Sequence, residues 1–312
     1  MSSTGRSTSS RPPVVAVVGP TAAGKSELSL DLAEALHGEV VNTDAMQVYR
    51  GMDIGTAKLS VAERRGIPHH LLDLLEVTEP ASVAEFQRWA RDAIEDCRAR
   101  GASPVLVGGS ALYTRAVLDR FEFPGTDPAV RERLEDELAE RGPEALHRRL
   151  VELDSDAAAR IIPSNGRRVV RALEVIELTG RPFSASLPEL TYEVDDAHQV
   201  GVDIPRPVLD ERIALRVERM WEAGFVEEVR RLAARGLREG RTANRAIGYQ
   251  QVLAFLDGEL TEAEAMEQTI VATRRFARRQ DSWFRKDPRI SWVAWDDPDR
   301  VAKALAAVGR SR

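Results

Sequence analysis

Residues Val14–Ser26 read Val-Val-Ala-Val-Val-Gly-Pro-Thr-Ala-Ala-Gly-Lys-Ser, and this stretch constrains the chain more than any other. The β-branched run Val14–Val18 has the unbroken apolar pattern of a strand buried on both faces. A Gly-x-x-x-x-Gly-Lys-Ser loop follows at once, and the spacing of Leu28, Leu32, Ala35 and Leu36 predicts a helix over Ser26–Leu36. Strand, glycine loop and helix in that order form the setting in which this motif captures phosphate. Gly19 and Gly24 let the backbone curl over Pro20, Thr21, Ala22 and Ala23, so that successive N–H groups converge beside the positive end of the helix. Lys25 adds a full charge for the outer phosphates, and the Ser26 hydroxyl suits Mg²⁺. These residues predict a pyrophosphate or triphosphate site. They do not say which molecule carries the phosphates.

The same architecture repeats downstream. Glu39–Asp44 predicts a second strand that ends on an acid, and a third strand is expected near His70–Leu75. Ser82 with Glu85 is a capping pair that opens a helix running to about Arg100, stopped by Gly101. Pro104–Val107 predicts another buried strand, Gly108-Gly109-Ser110 a turn, and Ala111–Leu118 a helix. Two strand–glycine–helix junctions in one chain predict an α/β fold of the P-loop NTPase kind, a parallel sheet flanked by helices with right-handed crossovers. In such a sheet the C-terminal strand ends face the ligand crevice, so Asp44 either points into the crevice or caps the turn behind it. Ser110 has the same two readings, as helix cap or ligand contact. His69 and His70 lack companions at metal-binding spacing, which argues against a zinc site.

The pattern changes near Phe121. No strand signal occurs from Thr126 to Gly180, and helices are expected over Ala129–Arg141, Pro143–Glu152, Ser155–Ile161 and Arg167–Thr179. We therefore divide the 312 residues into a disordered tail (1–13), a core (14–120 and 198–312) and an all-helical insertion (121–197). Val200–Ile204 predicts the strand on which the core resumes, and Leu209–Arg235 one long amphipathic helix with Ile213, Val217, Met220, Trp221 and Phe225 as its core stripe. Arg245–Gln251 opens a further helix, and Ile290–Trp295 predicts a last strand before a terminal helix. The net charge of −6 gives no global attraction to nucleic acid. Thr273–Lys286, however, holds six basic residues against one acid, with Phe276, Trp283 and Phe284 interleaved. That is a mixture suited to phosphate contact and base stacking, or to a surface helix whose aromatics turn inward. The tail has no apolar segment of a secretory signal, no run is long enough to cross a membrane, and Cys97 is the single cysteine. A reducing cytoplasm is the expected compartment.

A phosphate loop, a Mg²⁺-competent serine and a neighbouring carboxylate serve three chemistries. One is phosphoryl transfer from ATP to a small metabolite, with the helical insertion as lid. A second is transfer of whatever is esterified to the pyrophosphate, which then leaves. A third is a nucleotide-switched RNA-binding protein. The basic helix near the C-terminus favours a nucleic-acid partner.

Several ordered segments resemble the tRNA dimethylallyltransferase family, also called tRNA isopentenyltransferases. They are Gly19–Ser26, Asn42–Tyr49, the Gly-Met-Asp-Ile-Gly-Thr-Ala-Lys run Gly51–Lys58, Leu106–Tyr113, Arg171–Val175, Ala246–Tyr249 and Ala272–Gln280. The matches span about Val14 to Arg285, and the Gly51–Lys58 run is the most specific of them. The resemblance implies transfer of a dimethylallyl group from dimethylallyl diphosphate to N6 of adenosine 37 in the tRNA anticodon loop. It implies Asp44 as general base, Thr21, Lys25 and Ser26 at the diphosphate with Mg²⁺ assisting, and a mobile helical insertion that clamps the tRNA. It places tRNA contacts at Asp44, Ala45, Met46 and Gln47, at Ser110, and at Arg131, Arg167, Arg168 and Arg171. Further contacts are implied at Arg245, Gly248, Tyr249 and Gln250, and at Arg278, Arg279, Gln280, Trp283 and Arg285. Some members carry Thr where this chain has Ser110, and the hydroxyl is kept. The expected enzyme is a monomer.

Overall fold

A computed structural model describes residues 11–121, 123–183 and 190–309. The tail expected over 1–13 lies outside the described residues as far as 10. Its last residues are docked, with Arg11 paired to Glu95 and Arg98 Nε donating to the Pro12 carbonyl at 2.9 Å.

The chain divides into two compact units. The first comprises the residues up to Leu118 and from Tyr192 onward. Its centre is a six-stranded parallel sheet of β1 (Val14–Val18), β2 (Glu39–Asn42), β3 (His69–His70), β4 (Pro104–Val107), β5 (Ala197–Asp203) and β6 (Ile290–Ala294), in the spatial order β3-β2-β4-β1-β5-β6. Both faces are covered, which explains the unbroken apolar run of β1. Val14, Ala16 and Val18 enter one core cluster while Val15 and Val17 enter the other. Helices α1 (Lys25–Ala35), α2 (Val83–Ala99) and α3 (Ala111–Leu118) alternate with the strands. Strand order reverses at β1, between β4 and β5, so the loops after β1 and β4 bound the crevice typical of such sheets.

The second unit, Asp119–Thr191, is helical: α4 (Pro128–Arg141), α5 (Pro143–Leu153), α6 (Ser155–Arg160) and α7 (Gly166–Thr179). Asp127 caps α4 with Pro128 in its first turn, and Leu134, Leu146, Leu150, Val169 and Leu173 fill its own core. The core resumes at Tyr192, ahead of the sequence boundary at 198. The Glu193 N–H donates to the Leu118 carbonyl at 2.8 Å, a backbone bond with no sequence signature.

Several expected elements differ in extent: the helix expected to open at Arg245 starts at Tyr249 after a 3-10 turn, and the second strand ends at Asn42. The third strand is only His69–His70, and Leu75 makes an isolated bridge to Tyr49. The strand β5 starts at Ala197, three residues early, because Val14–Ala197 pairing extends it. The long helix over Leu209–Arg235 is two helices, α8 (Arg206–Glu222) and α9 (Phe225–Ala233). Gly224, at φ 91°, breaks it with a left-handed residue that the apolar stripe cannot reveal. A 3-10 turn (Ala243–Arg245), α10 (Tyr249–Leu256), α11 (Glu262–Phe284) and α12 (Arg300–Ala307) complete the first unit. The basic segment is thus, as far as Phe284, the second half of a longer helix that starts on a Thr261–Glu264 capping box, with Arg285 and Lys286 just beyond its end.

Candidate functional site

β1 delivers the Gly19–Gly24 loop to the N-terminus of α1, as the motif predicts. The Lys25 ammonium donates to the Pro20 carbonyl at 2.7 Å. Burial, then the charge of Arg216, push its pKa down to about 7, and Asp44 partly opposes them. The Thr21 N–H donates to Gln280 Oε1 at 2.8 Å, and Gln280 Nε2 donates to the Gly109 carbonyl at 2.8 Å. One glutamine on α11 therefore ties the loop after β1 to the loop after β4. Ser26 is exposed at the start of α1.

Asp44 follows β2 and does both things the sequence allowed. Its Oδ1 accepts the Met46 N–H at 2.9 Å, closing the turn, and the residue also lines a cavity of about 500 Å³. Thr21, Ala45, Met46, Ser110 and Gln280 share that cavity. The opposite lining comes from α8, where Ile213, Arg216, Val217 and Met220 recur at i, i+3, i+4 and i+7 and present one face. Phe225, Ala246, Ile247, Tyr249 and Phe276 extend the apolar lining. Burial lowers the Arg216 pKa from its usual value, and the Asp44 carboxylate raises it. The cavity thus joins the anion-binding loop at Thr21, three arginines (Arg216, Arg241 and Arg245), one carboxylate and an apolar wall.

Glu228, on α9, holds the segment that carries the most specific resemblance. It is 2% exposed and accepts from the N–H groups of Asp53 (3.1 Å), Ile54 (2.7 Å) and Gly55 (3.2 Å), and from the Tyr249 hydroxyl (2.6 Å). Burial, then this carboxylate, raise the Tyr249 pKa well above its ordinary value. Gly55 sits on the Phe225 and Tyr249 rings, and a Cβ there would lie 2.2 Å from Phe225 Cε2. Lys58 is buried at its tip, donating at 2.7 Å to both Asp53 and Asp73 and at 2.9 Å to the Tyr49 carbonyl. Gln47 Nε2 donates to the Thr56 carbonyl at 3.0 Å.

The residues expected to touch RNA separate into two groups. Arg245, Gln250, Arg278 and Arg279 are exposed, Arg245 at the cavity lining, and Trp283 is 52% exposed with Lys286 over its ring at 5.6 Å. Arg167 and Arg168 are exposed on α7. Others are engaged by partners within the chain, and of these Gly248, Tyr249 and Gln280 also line the cavity. Gln280 has both ends of its amide engaged on the scaffold, and Tyr249 and Gly248 are buried, with the Tyr249 hydroxyl spent on Glu228. Arg131 and Arg171 both grip Glu174, which is 0% exposed, and so organise the helical unit itself. Arg285 pairs with Asp203 and Asp281 and stacks on Trp292 at 3.8 Å. Phe284 turns inward, as one of the two readings expected, and Phe276 lines the cavity.

Sequence reasoning missed Arg216 and Glu228. Arg216 had a signal, a lone cation inside the apolar stripe of α8. Glu228 had none, because three of its four partners are backbone groups more than 170 residues away.

The profile of a family described as IPP transferase matches residues 47–287. A protein named tRNA dimethylallyltransferase from a Nocardioides species is 68% identical over 301 residues, covering 96% of this chain and 97% of that protein. One of the same name from Streptomyces coelicolor is 64% identical over 296 residues, covering 94% and 95%. Among solved structures, the full-length tRNA isopentenylpyrophosphate transferase of Bacillus halodurans is similar at 40% identity and TM-score 0.69, covering 95% of this chain and 94% of that one. A eukaryotic dimethylallyltransferase acting on tRNA reaches TM-score 0.82 at 28% identity, covering 95% and 77%.

Two consequences are testable before any chemistry is assayed. A diphosphate in the crevice raises the depressed Lys25 pKa, so binding takes up a proton above about pH 7 and weakens as the pH rises beyond it. Calorimetry with inorganic pyrophosphate in buffers of different ionisation enthalpy reads that proton. It should vanish in Lys25→Arg, which stays charged throughout, and equal uptake by both proteins would refute the assignment. Glu228→Gln replaces an all-acceptor group with one that presents N–H to other donors. It should cost about 1–3 kcal/mol in urea unfolding and speed amide exchange at Asp53, Ile54 and Gly55. Unchanged exchange there would contradict its role.

Proposed function

This chain belongs to the IPP transferase family, and we infer that it transfers a dimethylallyl group from dimethylallyl diphosphate to N6 of adenosine 37 in the tRNA anticodon loop, releasing diphosphate. The observation that carries this reading is the cavity, where Thr21, Asp44 and Arg216 share a lining with Ile213, Val217 and Met220. The polar group of residues suits a diphosphate and a proton acceptor, and the apolar group suits a branched five-carbon chain.

The residues divide the chemistry between them. The adenine amine is a poor nucleophile because its lone pair is delocalised into the ring. Its nitrogen bonds to C1 of the allyl group as the C1–oxygen bond breaks, and the electron pair of that bond leaves with the diphosphate. Asp44 takes the proton from N6 through the carboxylate oxygen not used in capping Met46. The loop N–H groups, Lys25 and Arg216 meet the charge that builds on the leaving group. The apolar wall excludes water from a carbon that would otherwise be hydrolysed. The target base must leave its stack, at a cost of a few kcal/mol, and contacts to the RNA backbone by Arg245, Arg278 and Arg279 offset it. We assign Arg167 and Arg168 of the helical unit to the same partner.

Mg²⁺ fits this donor set. The ion takes few protein oxygens beside phosphate oxygens, and the exposed Ser26 hydroxyl at the helix start is such a donor. When bound it would supply further charge neutralisation on the diphosphate. A kinase for a small metabolite would leave both the apolar wall and the basic face of α11 without a purpose. We also propose a monomer working in the cytoplasm, which the single free thiol at Cys97 supports. Among the described residues no helix is long and apolar enough to cross a membrane.

Asp44→Asn keeps the shape and the turn-capping oxygen but removes the base. Transfer from dimethylallyl diphosphate to unmodified tRNA should fall about 10²–10⁴-fold with tRNA affinity retained. Turnover near the wild-type rate would remove Asp44 from the mechanism.

A further inference from the structure

Among the described residues, one group of potential metal-ligating side chains plays no part in the transfer: Glu39, His70 and Cys97. Glu39 opens β2, His70 closes β3, and Cys97 lies in the last turns of α2. Val41 pairs with His70 across the two strands and belongs to the core cluster that contains Ile94 and Cys97 of α2. Glu39 lies two residues before Val41, so the strand alternation turns Glu39 and His70 toward that helix. The group sits at the opposite end of β2 from Asp44. His70 Nε2 lies 2.6 Å from Glu39 Oε2, and Cys97 Sγ lies 3.5 Å from that oxygen and 3.6 Å from that nitrogen.

We propose that Glu39 Oε2, His70 Nε2 and Cys97 Sγ form a zinc site, with a water as fourth ligand. With bonds of about 2.3 Å to sulfur and about 2.0–2.2 Å to nitrogen and oxygen, a tetrahedron needs sulfur edges of about 3.6 Å and a nitrogen–oxygen edge of about 3.4 Å. The two sulfur edges are already in place. The third must open by about 0.8 Å, as the Glu39–His70 hydrogen bond gives way to two metal bonds. A thiol, an imidazole and a carboxylate suit zinc and disfavour Mg²⁺ or Ca²⁺, which take oxygen donors. The His70 side chain is 27% exposed and that of Glu39 14%, which leaves an entry path and room for the water. Arg100 holds these groups in the absence of an ion, with Nη2 2.7 Å from Glu39 Oε2 and 3.8 Å from Cys97 Sγ, and Nε 3.3 Å from Oε1. Its side chain is half-exposed and can follow Oε1 when Oε2 turns to the metal. On binding, the Cys97 thiol gives its proton to solvent, so that thiolate and carboxylate balance the dication. The ion would pin β2, β3 and α2 together. The ligands are 31, 27 and 58 residues apart, so no motif spacing around His69 and His70 could reveal them.

Cobalt tests the site directly, because tetrahedral Co²⁺ bound to a thiolate has both a charge-transfer band and visible d–d bands. Tag-free, full-length, reduced protein titrated with Co²⁺ should show both, saturating at one ion per chain, and Zn²⁺ should bleach them. Cys97→Ser should lose the charge-transfer band, and His70→Gln, changed at a partly exposed position, should lose saturable binding. Arg100→Met should bind Co²⁺ more tightly, since the competing cation is gone. Prenyl transfer measured on the same preparations reports whether each variant is folded. If Cys97→Ser does not fold, the wild-type spectrum with His70→Gln decides. A wild-type protein without the charge-transfer band, or bands that persist in His70→Gln, would reduce the group to an ion pair beside a core thiol.

Discussion

Lys25 and Arg216 are both desolvated, Lys25 also beside the charge of Arg216 and Arg216 beside that of Arg212, and the Asp44 carboxylate works against the effect on both. Burial opposes the charged form of each cation, so an anion with two or more charges is the natural complement of the site. Much of the first unit serves that arrangement. β1 and α1 aim the phosphate loop, β2 ends where Asp44 must stand, and α8 brings Arg216 in on an otherwise apolar face. Gln280 fixes the relation between the loops after β1 and β4, so the helix bearing the exposed arginines 278 and 279 is anchored at the phosphate loop by a buried amide.

A second constraint comes from the Gly51–Lys58 segment, whose residues mostly face the scaffold. Glu228 collects three successive backbone N–H groups and a phenol, and Lys58 collects two carboxylates and a carbonyl. Such a segment is intolerant of change at almost every position, because each buried polar group left unpaired costs about 1–3 kcal/mol. This accounts for a motif so specific in sequence yet without a catalytic side chain. It is a wall held rigid so that Gly55 and Thr56 can line the cavity.

The sequence was most legible where structure is local. The strand Val14–Val18 and the helix Ala111–Leu118 have the extents that periodicity predicts, since a two-faced strand and a glycine-bounded helix need no distant partner to be recognised. The break at Gly224 was invisible, because the apolar stripe continues through it from Val217 to Phe225. Asp44 was legible through its place after a strand, and Arg216 could have been found as a cation among the apolar neighbours of its stripe. The arginines expected to hold RNA illustrate the limit best. Arg131, Arg171 and Arg285 look like Arg167 and Arg278 in sequence, and only the position of Glu174 and Asp203 shows which are already paired.

The central claim is that the phosphate loop holds a leaving group and that no phosphoryl group moves. Dimethylallyl diphosphate labelled with heavy oxygen at the bridge between C1 and phosphorus tests it in one reaction with unmodified tRNA. The account predicts one labelled diphosphate released for each adenosine that gains a dimethylallyl group, with no label in any alcohol and no requirement for ATP. Label recovered in dimethylallyl alcohol, or ATP consumed in step with turnover, would contradict it.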